Sequence, residues 1–125
     1  MKKLITALLT AALFIANNAY AETYAECVNA ISLLNKSLPA YIDANTLLKN
    51  VNCLPYNPIR VVYTYQLLID ATKQDISDLR TSQALQSCTT PNLRRILNKA
   101  TVEFKYIDKN SNYINSNVFT LKDCH

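Results

Sequence analysis

Residues 88–124, CTTPNLRRILNKATVEFKYIDKNSNYINSNVFTLKDC, decide the fold. Thr90-Pro91 starts a helix, because threonine is a favoured N-cap and proline suits the first helical position, where no backbone donor is needed. Leu93, Ile96 and Leu97 then recur at the spacing of one buried side, while Arg94, Arg95 and Lys99 face water or a partner. Val102, Phe104 and Tyr106 alternate with Thr101, Glu103, Lys105 and Ile107, which is the period of a half-buried strand. Asp108-Lys109-Asn110-Ser111-Asn112 reverses the chain, and residues 113–121 return as a second strand with mixed faces. With Cys88 at one end and Cys124 at the other, the unit reads as a hairpin tied back to a helix by a disulfide.

Working outward, residues 59–69 hold the clearest strand. Ile59, Val61, Tyr63, Tyr65, Leu67 and Ile69 alternate with Arg60, Val62, Thr64, Gln66 and Leu68, so one face is wholly apolar or aromatic and the strand belongs at the centre of a sheet. Residues 46–53 supply its partner, with Leu47, Val51 and Cys53 on one parity. Residues 54–58, with two prolines, cannot continue a ladder and form the loop between the two. Thr72 and Asp75 resemble a capping box opening a helix to about Ser87 that buries Ile76, Leu79 and Leu85. Before all of these, Cys27, Ala30, Ile31, Leu33, Leu34 and Leu38 mark an amphipathic helix that ends before Pro39, and residues 39–45 connect it onward. The order helix-strand-strand-helix-helix-strand-strand predicts an α+β fold: a disulfide-stabilised two-layer sandwich with a four-stranded antiparallel sheet and its helices on one face.

The N-terminus carries a different signal. Met1-Lys2-Lys3 is basic, residues 4–16 are almost wholly apolar, and Ala19-Tyr20-Ala21 offers small residues at the positions a signal peptidase reads. Residues 1–21 are therefore expected to be a signal peptide and residues 22–125 a single domain. The apolar run is short for a membrane span, so no span is expected after cleavage. No cysteine follows the cleavage position, so lipid attachment is not expected, and the short basic start is of the bacterial type. The destination is the periplasm or the outside of the cell. Of 13 lysines and arginines, removal of Lys2 and Lys3 leaves 11 against 9 acidic residues. That balance is too even to argue for nucleic acid.

Four cysteines, Cys27, Cys53, Cys88 and Cys124, imply two disulfides in an exported chain. Three pairings can be drawn; Cys27 with Cys53 and Cys88 with Cys124 is favoured, because each then ties neighbouring elements. The chain has no glycine at all. Turns must use other residues, of which asparagine tolerates positive φ best, and Asn50, Asn52, Asn57, Asn110 and Asn112 stand where turns or strand edges are wanted. The same absence excludes a P-loop, a dinucleotide fingerprint and a glycine-flanked serine nucleophile.

Little else in the chain points to catalysis. His125 is the only histidine and the last residue. The cysteines lack any close pair of the kind zinc sites use, so no metal and no cofactor is expected. Asp43, Asp70, Asp75, Asp78, Glu103, Asp108 and Asp123 mostly sit in turns and helix starts, where capping accounts for them. Tyr63, Tyr65 and Tyr106 should pack between sheet and helices with their hydroxyls at the rim. Tyr41, Tyr56 and Tyr113, from loops and edges, are candidates for a binding surface, since tyrosine gives large contact area at small entropic cost. Arg94, Arg95 and Lys99 could add a basic patch for an acidic partner.

From Ser37 onward the chain resembles a family of small exported proteobacterial proteins with a C-terminal helix–hairpin block closed by two cysteines. The match is carried by Leu38-Pro39, residues 43–51, Val62-Tyr63-Thr64-Tyr65, Cys88 with Pro91-Asn92-Leu93-Arg94, Val102-Glu103-Phe104-Lys105-Tyr106 with Asp108-Lys109-Asn110, and Thr120-Leu121-Lys122-Asp123-Cys124. The resemblance implies the Cys88–Cys124 pair and makes Cys27 and Cys53 an addition; it implies no activity.

The resulting expectation is a non-enzymatic exported protein that binds a protein partner in the cell envelope as an accessory factor, through its sheet edge and tyrosine surface. An inhibitor or immunity-type protein that plugs an enzyme cleft with residues 54–58 is the alternative, and a small hydrolase is the remaining class. Closing loops of this length stabilises by roughly 3–4 kcal/mol each in the chain-entropy model. Reductant should therefore lower the melting temperature by an amount on the order of tens of degrees, read by circular dichroism with and without dithiothreitol.

Overall fold

A computed structural model describes residues 24–124. The expected signal peptide and His125 lie outside the described residues. Helix α1 (Tyr24–Asn35) leads into strands β1 (Ala40–Asp43), β2 (Thr46–Leu54) and β3 (Ile59–Leu67). Helices α2 (Lys73–Asp78), α3 (Arg80–Thr89) and α4 (Pro91–Leu97) follow, then β4 (Ala100–Ile107), β5 (Tyr113–Phe119) and a 3₁₀ turn at Leu121–Asp123. The strands lie side by side in chain order, and the sheet is mixed: β3 and β4 pair in parallel, all other neighbours antiparallel.

Two expectations about the sheet are thereby corrected. It has five strands, not four, because part of the connector at residues 39–45 is itself β1. Four residues are too short to show a period, and the reversal into β2 is made by Asp43, whose carboxylate accepts the backbone N–H of Asn45 at 2.8 Å. Nor is the sheet wholly antiparallel. The segment between β3 and β4 carries three helices, and a connection of that length can cross over and re-enter beside its starting strand in the same direction.

All helices cover one face. Ile59, Val61, Tyr63, Tyr65 and Leu67 of β3 meet Ala100, Val102, Phe104 and Tyr106 of β4, and the same cluster takes in Cys27, Ile31 and Leu34 from α1, Ile76 and Leu79 around α2, and Leu93, Ile96 and Leu97 from α4. Aromatic rings form its centre: Tyr63 to Phe104 at 5.4 Å, Tyr65 to Tyr106 at 5.5 Å and Phe104 to Phe119 at 5.8 Å between centroids, in tilted or stacked pairs. Such pairs add about 0.5–1.5 kcal/mol each beyond their burial. The two disulfides join the favoured cysteines: Cys27 of α1 to Cys53 of β2, and Cys88 of α3 to Cys124 after the 3₁₀ turn.

Several side chains face the other way from the sequence reading. The helix expected over residues 72–87 does open on the Thr72–Asp75 capping box, but it breaks at Leu79 into α2 and α3. The break rotates α3, so Leu85 is 64% exposed while Gln83 and Ser87 are buried. Gln83 is compensated: its amide donates to the Tyr106 hydroxyl at 2.7 Å and accepts from the Asn117 amide at 2.9 Å, and Asn117 also donates to the Ile76 carbonyl. Leu33 of α1 likewise points to water. In β2 a register shift between Leu48 and Asn50 changes the parity, so Leu48, Val51 and Cys53 are buried and Leu47 goes to the opposite face.

That shift also marks where β1 runs out. Beyond it, the side chain of Asn35 at the end of α1 takes both backbone groups of Val51, donating to its carbonyl at 2.8 Å and accepting from its N–H at 3.0 Å. One amide thus stands in for a neighbouring strand and fixes α1 against the sheet. The α4 start is as expected in having Pro91 in its first turn, though Thr90 makes no side-chain cap bond.

Without glycine, the β4–β5 reversal is built around Asp108. Its carboxylate accepts the N–H groups of Asn110 and Asn112 at 2.8 and 2.9 Å, and Ser111 donates its N–H to the Asp108 carbonyl. Ser111, not an asparagine, is the described residue with positive φ, at 67°. The aspartate holds the turn closed, and its chelation of two amides carries the serine through a region that costs a non-glycine residue about 1–2 kcal/mol. Ser111→Gly should therefore raise stability by about 0.5–1 kcal/mol, while Asp108→Ala should lower it by about 1–2 kcal/mol. Urea unfolding of the two variants checks both signs.

Candidate partner-binding face

The face of the sheet opposite the helices is built from the other parity of each strand. Register places Tyr41, Leu47, Gln66, Ile107 and Tyr113 in one row across all five strands. Below it run Asn50, Thr64, Lys105 and Ser116, then Asn52, Val62, Glu103 and Val118, and last Leu54, Arg60 and Thr101. Among the described residues no element packs over these rows. Val62, Thr64 and Gln66, on the central strand between β2 and β4, are nevertheless buried. Gln66 is pinned further, donating to the carbonyls of Asp108 and Lys109.

A polar chain crosses this face. The Arg60 guanidinium stacks over the Tyr56 ring at 5.2 Å and donates to Thr101 Oγ1 at 3.3 Å. Its Nη1 lies 3.3 Å from Glu103 Oε1, whose other oxygen accepts from Ser116 Oγ at 2.9 Å; Ser116 in turn accepts from the Tyr113 hydroxyl at 3.1 Å. Two of the three tyrosines chosen from the sequence thus sit at the two ends of one network. Tyr41 stands alone on the far edge. Tyr41, Tyr56 and Tyr113 are 69, 54 and 57% exposed. Rings already oriented by such contacts lose little freedom on binding, which is where tyrosine gains over flexible side chains.

The basic candidates lie elsewhere. Arg94 and Arg95 are exposed on α4, in the helical layer, so they do not join the tyrosine face. Lys99 sits between, lining a cleft at one end of the sheet with Pro58, Leu97, Ala100, Thr101, Leu121 and Lys122. Sequence reasoning gave Arg60 and Ser116 no part in a surface and set Glu103 among the capping carboxylates, although the polar parity of β3 and β4 contained the signal for Arg60 and Glu103. It also missed Lys122, for which a single strand pattern offers none. Within residues 54–58, Pro55 to Pro58 are exposed; Tyr56 donates its N–H to the Leu54 carbonyl at 2.8 Å, its ring lies against Arg60, and Pro58 lines the cleft.

The two edges differ. On β5, Arg80 donates to the Val118 carbonyl at 2.7 Å and the Asn115 carboxamide accepts the Ser116 N–H at 2.9 Å, which blunts that side against strand addition. The same guanidinium lies 4.8 Å over the Phe119 ring and pairs with Asp123, so α3 is clamped to the end of the chain. On the opposite edge β1 offers only four residues.

The carboxylates are mostly engaged structurally. Asp75 and Asp123 complete capping boxes, Asp43 and Asp108 hold turns, and Glu103 is held by Arg60 and Ser116. Among the described residues no group of three or more potential ligands could hold a metal ion. No described helix is long and apolar enough to cross a membrane.

No protein-family model and no curated protein matches the chain. Its class is set by the fold, a two-layer α+β sandwich that solved bacterial proteins share. A Pseudomonas aeruginosa protein named as secreted is 13% identical, with a TM-score of 0.64 over 82% of this chain and 96% of that one. More particularly, two such structures are pilotins. EpsS of the Vibrio vulnificus type 2 secretion system is 15% identical with a TM-score of 0.64, covering 82% of this chain and 91% of that one. AspS, the type II secretion system pilotin of Vibrio cholerae, is 15% identical with a TM-score of 0.55, covering 77 and 86%. At these identities the likeness is one of fold.

The tyrosines beneath the sheet differ from those on its face. Tyr63, Tyr65 and Tyr106 are fully buried, and the hydroxyls of Tyr63 and Tyr65 lie inside the core without a protein partner, not at the rim as expected. Burial raises the ionisation of all three phenols above the ordinary value of 10.0, and for Tyr106 the Gln83 hydrogen bond offsets this in part. The folded chain holds these protons more tightly than the unfolded chain. Their contribution is therefore intact below pH ~10 and falls above it, by up to about 1.4 kcal/mol per pH unit for each phenol. In an alkaline titration, phenolate absorbance from these three should appear together with loss of the far-ultraviolet circular dichroism. Ionisation of all the tyrosines well before unfolding would contradict the burial.

Proposed function

We propose that this chain is a non-enzymatic accessory protein of the bacterial cell envelope that binds a subunit of an export machine, in the manner of a pilotin. The observation that carries this reading is the helix-free face, a complete five-stranded surface rimmed by Tyr41, Tyr56 and Tyr113, with Tyr56 and Tyr113 joined by the Arg60–Glu103–Ser116 chain. The fold likeness to EpsS and AspS supports it, since both are components of a type 2 secretion system. The engagement of most carboxylates in caps, turns and ion pairs supports a binding role over hydrolysis. The expected N-terminal signal, with a periplasmic or secreted destination, fits the same role.

Site-specific photo-crosslinking tests this. A benzophenone amino acid at Tyr41 or Tyr113, in oxidised protein expressed with its own N-terminus, should yield one discrete adduct in envelope fractions. The same group at Leu85, exposed on the helical layer, should not. Tyr41→Ala with Tyr113→Ala should reduce recovery of that partner at least tenfold with an unchanged melting temperature, since exposed aromatic anchors dominate such interfaces. Adducts from Leu85 alone would move the binding surface to the helices.

A further inference from the structure

The helix-free face carries a charge pattern beside its tyrosines. The row of Tyr41, Leu47, Gln66, Ile107 and Tyr113 crosses five strands, or about 19 Å at the usual strand spacing, and apart from Gln66 it is aromatic or aliphatic. Gln66 donates both N–H groups to the Asp108 and Lys109 carbonyls, so its amide is turned toward the β4–β5 reversal.

The next row reads Asn50, Thr64, Lys105 and Ser116. Lys105 stands between Phe104 and Tyr106, both in the core, and therefore belongs to the bare side of β4. Lys49 is the extra residue of the register shift in β2. Leu48 and Val51, which bracket Lys49 and Asn50, both lie in the core, and this leaves the bracketed pair to the opposite side. The two lysines thus sit on β2 and β4, on strands about 10 Å apart with β3 between them.

These cations lack a counter-charge. Both lysines are half-buried, and among the described residues neither pairs with a carboxylate. Glu103, two residues from Lys105 on the same side of β4, is held by Arg60 and Ser116. The Arg60–Glu103 pair cancels, so Lys49 and Lys105 leave the rows positive. A half-buried ammonium without a partner gains most from a carboxylate that arrives already positioned.

We propose that the partner protein meets this face with an acidic strip: apolar side chains along the row from Tyr41 to Tyr113 and, beside them, two carboxylates about 10 Å apart that pair with Lys49 and Lys105. The proposal rests on the accessory-protein reading and names the chemistry of the surface that the tyrosine face takes. Basic strips are rejected by repulsion, and uncharged ones leave both ammonium groups desolvated without gain. An anionic membrane calls for a denser basic cluster than two separated lysines.

Selection from a phage-displayed library of random twelve-residue peptides on the oxidised protein, followed by fluorescence anisotropy, tests it. Sequences combining Asp or Glu with Leu, Ile, Phe or Tyr should be enriched, and their binding should weaken as salt is raised. Binding should fall about tenfold in Lys49→Gln/Lys105→Gln and further in Lys49→Glu/Lys105→Glu, yet stay within about threefold in Lys49→Arg/Lys105→Arg, which keeps both charges. Melting temperatures are read alongside, so that a loss is traced to charge and not to a disturbed sheet. Enrichment of basic or uncharged sequences, of none, or of acidic ones that bind Lys49→Gln/Lys105→Gln as well as the unaltered protein overturns the proposal. So does retention on phosphatidylglycerol vesicles with no acidic peptide enriched. Crosslinking through Tyr41 and Tyr113 separates the two readings. An envelope adduct that persists undiminished in Lys49→Glu/Lys105→Glu leaves the accessory role standing and removes the acidic strip. Lysine-dependent acidic peptides with no envelope adduct from either position support the chemistry of the face and remove the envelope partner.

Discussion

The parallel pairing of β3 with β4 is the constraint on which the rest of the structure depends. Its register runs without a break from Ile59 beside Ala100 to Gln66 beside Ile107. Two parallel neighbours cannot be joined by a tight turn, so the intervening chain must cross a face of the sheet, and its apolar side chains decide which face. Because α1 is stapled to the same side through Cys27 and Cys53, it joins the later helices in one layer. One face is then thickly covered and the other left bare. The bare face is a result of topology before it is a feature of any residue on it.

How much of this could be read in the chain depends on which forces act locally. The strand read over residues 59–69 and observed over 59–67, the Thr72–Asp75 cap, the proline start of α4 and the alternation in β4 are written in neighbouring residues, and each was legible apart from the last two residues of that strand. The disulfide pairs followed from which elements adjoin. Leu85 and Leu47 were misread because their orientation is set by a helix break at Leu79 and a register shift in β2, and neither changes the apolar count of its segment. β1 was missed because four residues show no period. The parallel pair was missed because direction is a property of the connection, not of either strand.

Of the candidate surface, Tyr41, Tyr56 and Tyr113 were legible as residues of loops and strand edges. Their grouping was not. Tyr41 and Tyr113 are far apart in sequence and meet in one row only through four successive strand pairings. The basic residues of α4 were legible as a cluster, but only the tertiary structure separates Arg94 and Arg95 from the sheet face and gives Lys99 a cleft shared with Lys122. Burying Gln83 and Asn117 in place of apolar groups gives the core a hydrogen-bonded seam that joins α2 and α3 to β4 and β5, and so helps hold the crossover against the sheet.

The two disulfides are consecutive in the chain: Cys27 closes on Cys53 before Cys88 and Cys124 are reached, and neither loop encloses the other. For a polypeptide threaded through a membrane pore N-terminus first, that order makes the correct bonds the first ones available. A catalyst that simply oxidises each new thiol with the previous free one arrives at the native pattern, with no need for an isomerase to reshuffle it. In such a passage the first bond would tie α1 to β2 early, and the second would wait for nearly the whole chain, after both strands of the parallel pair.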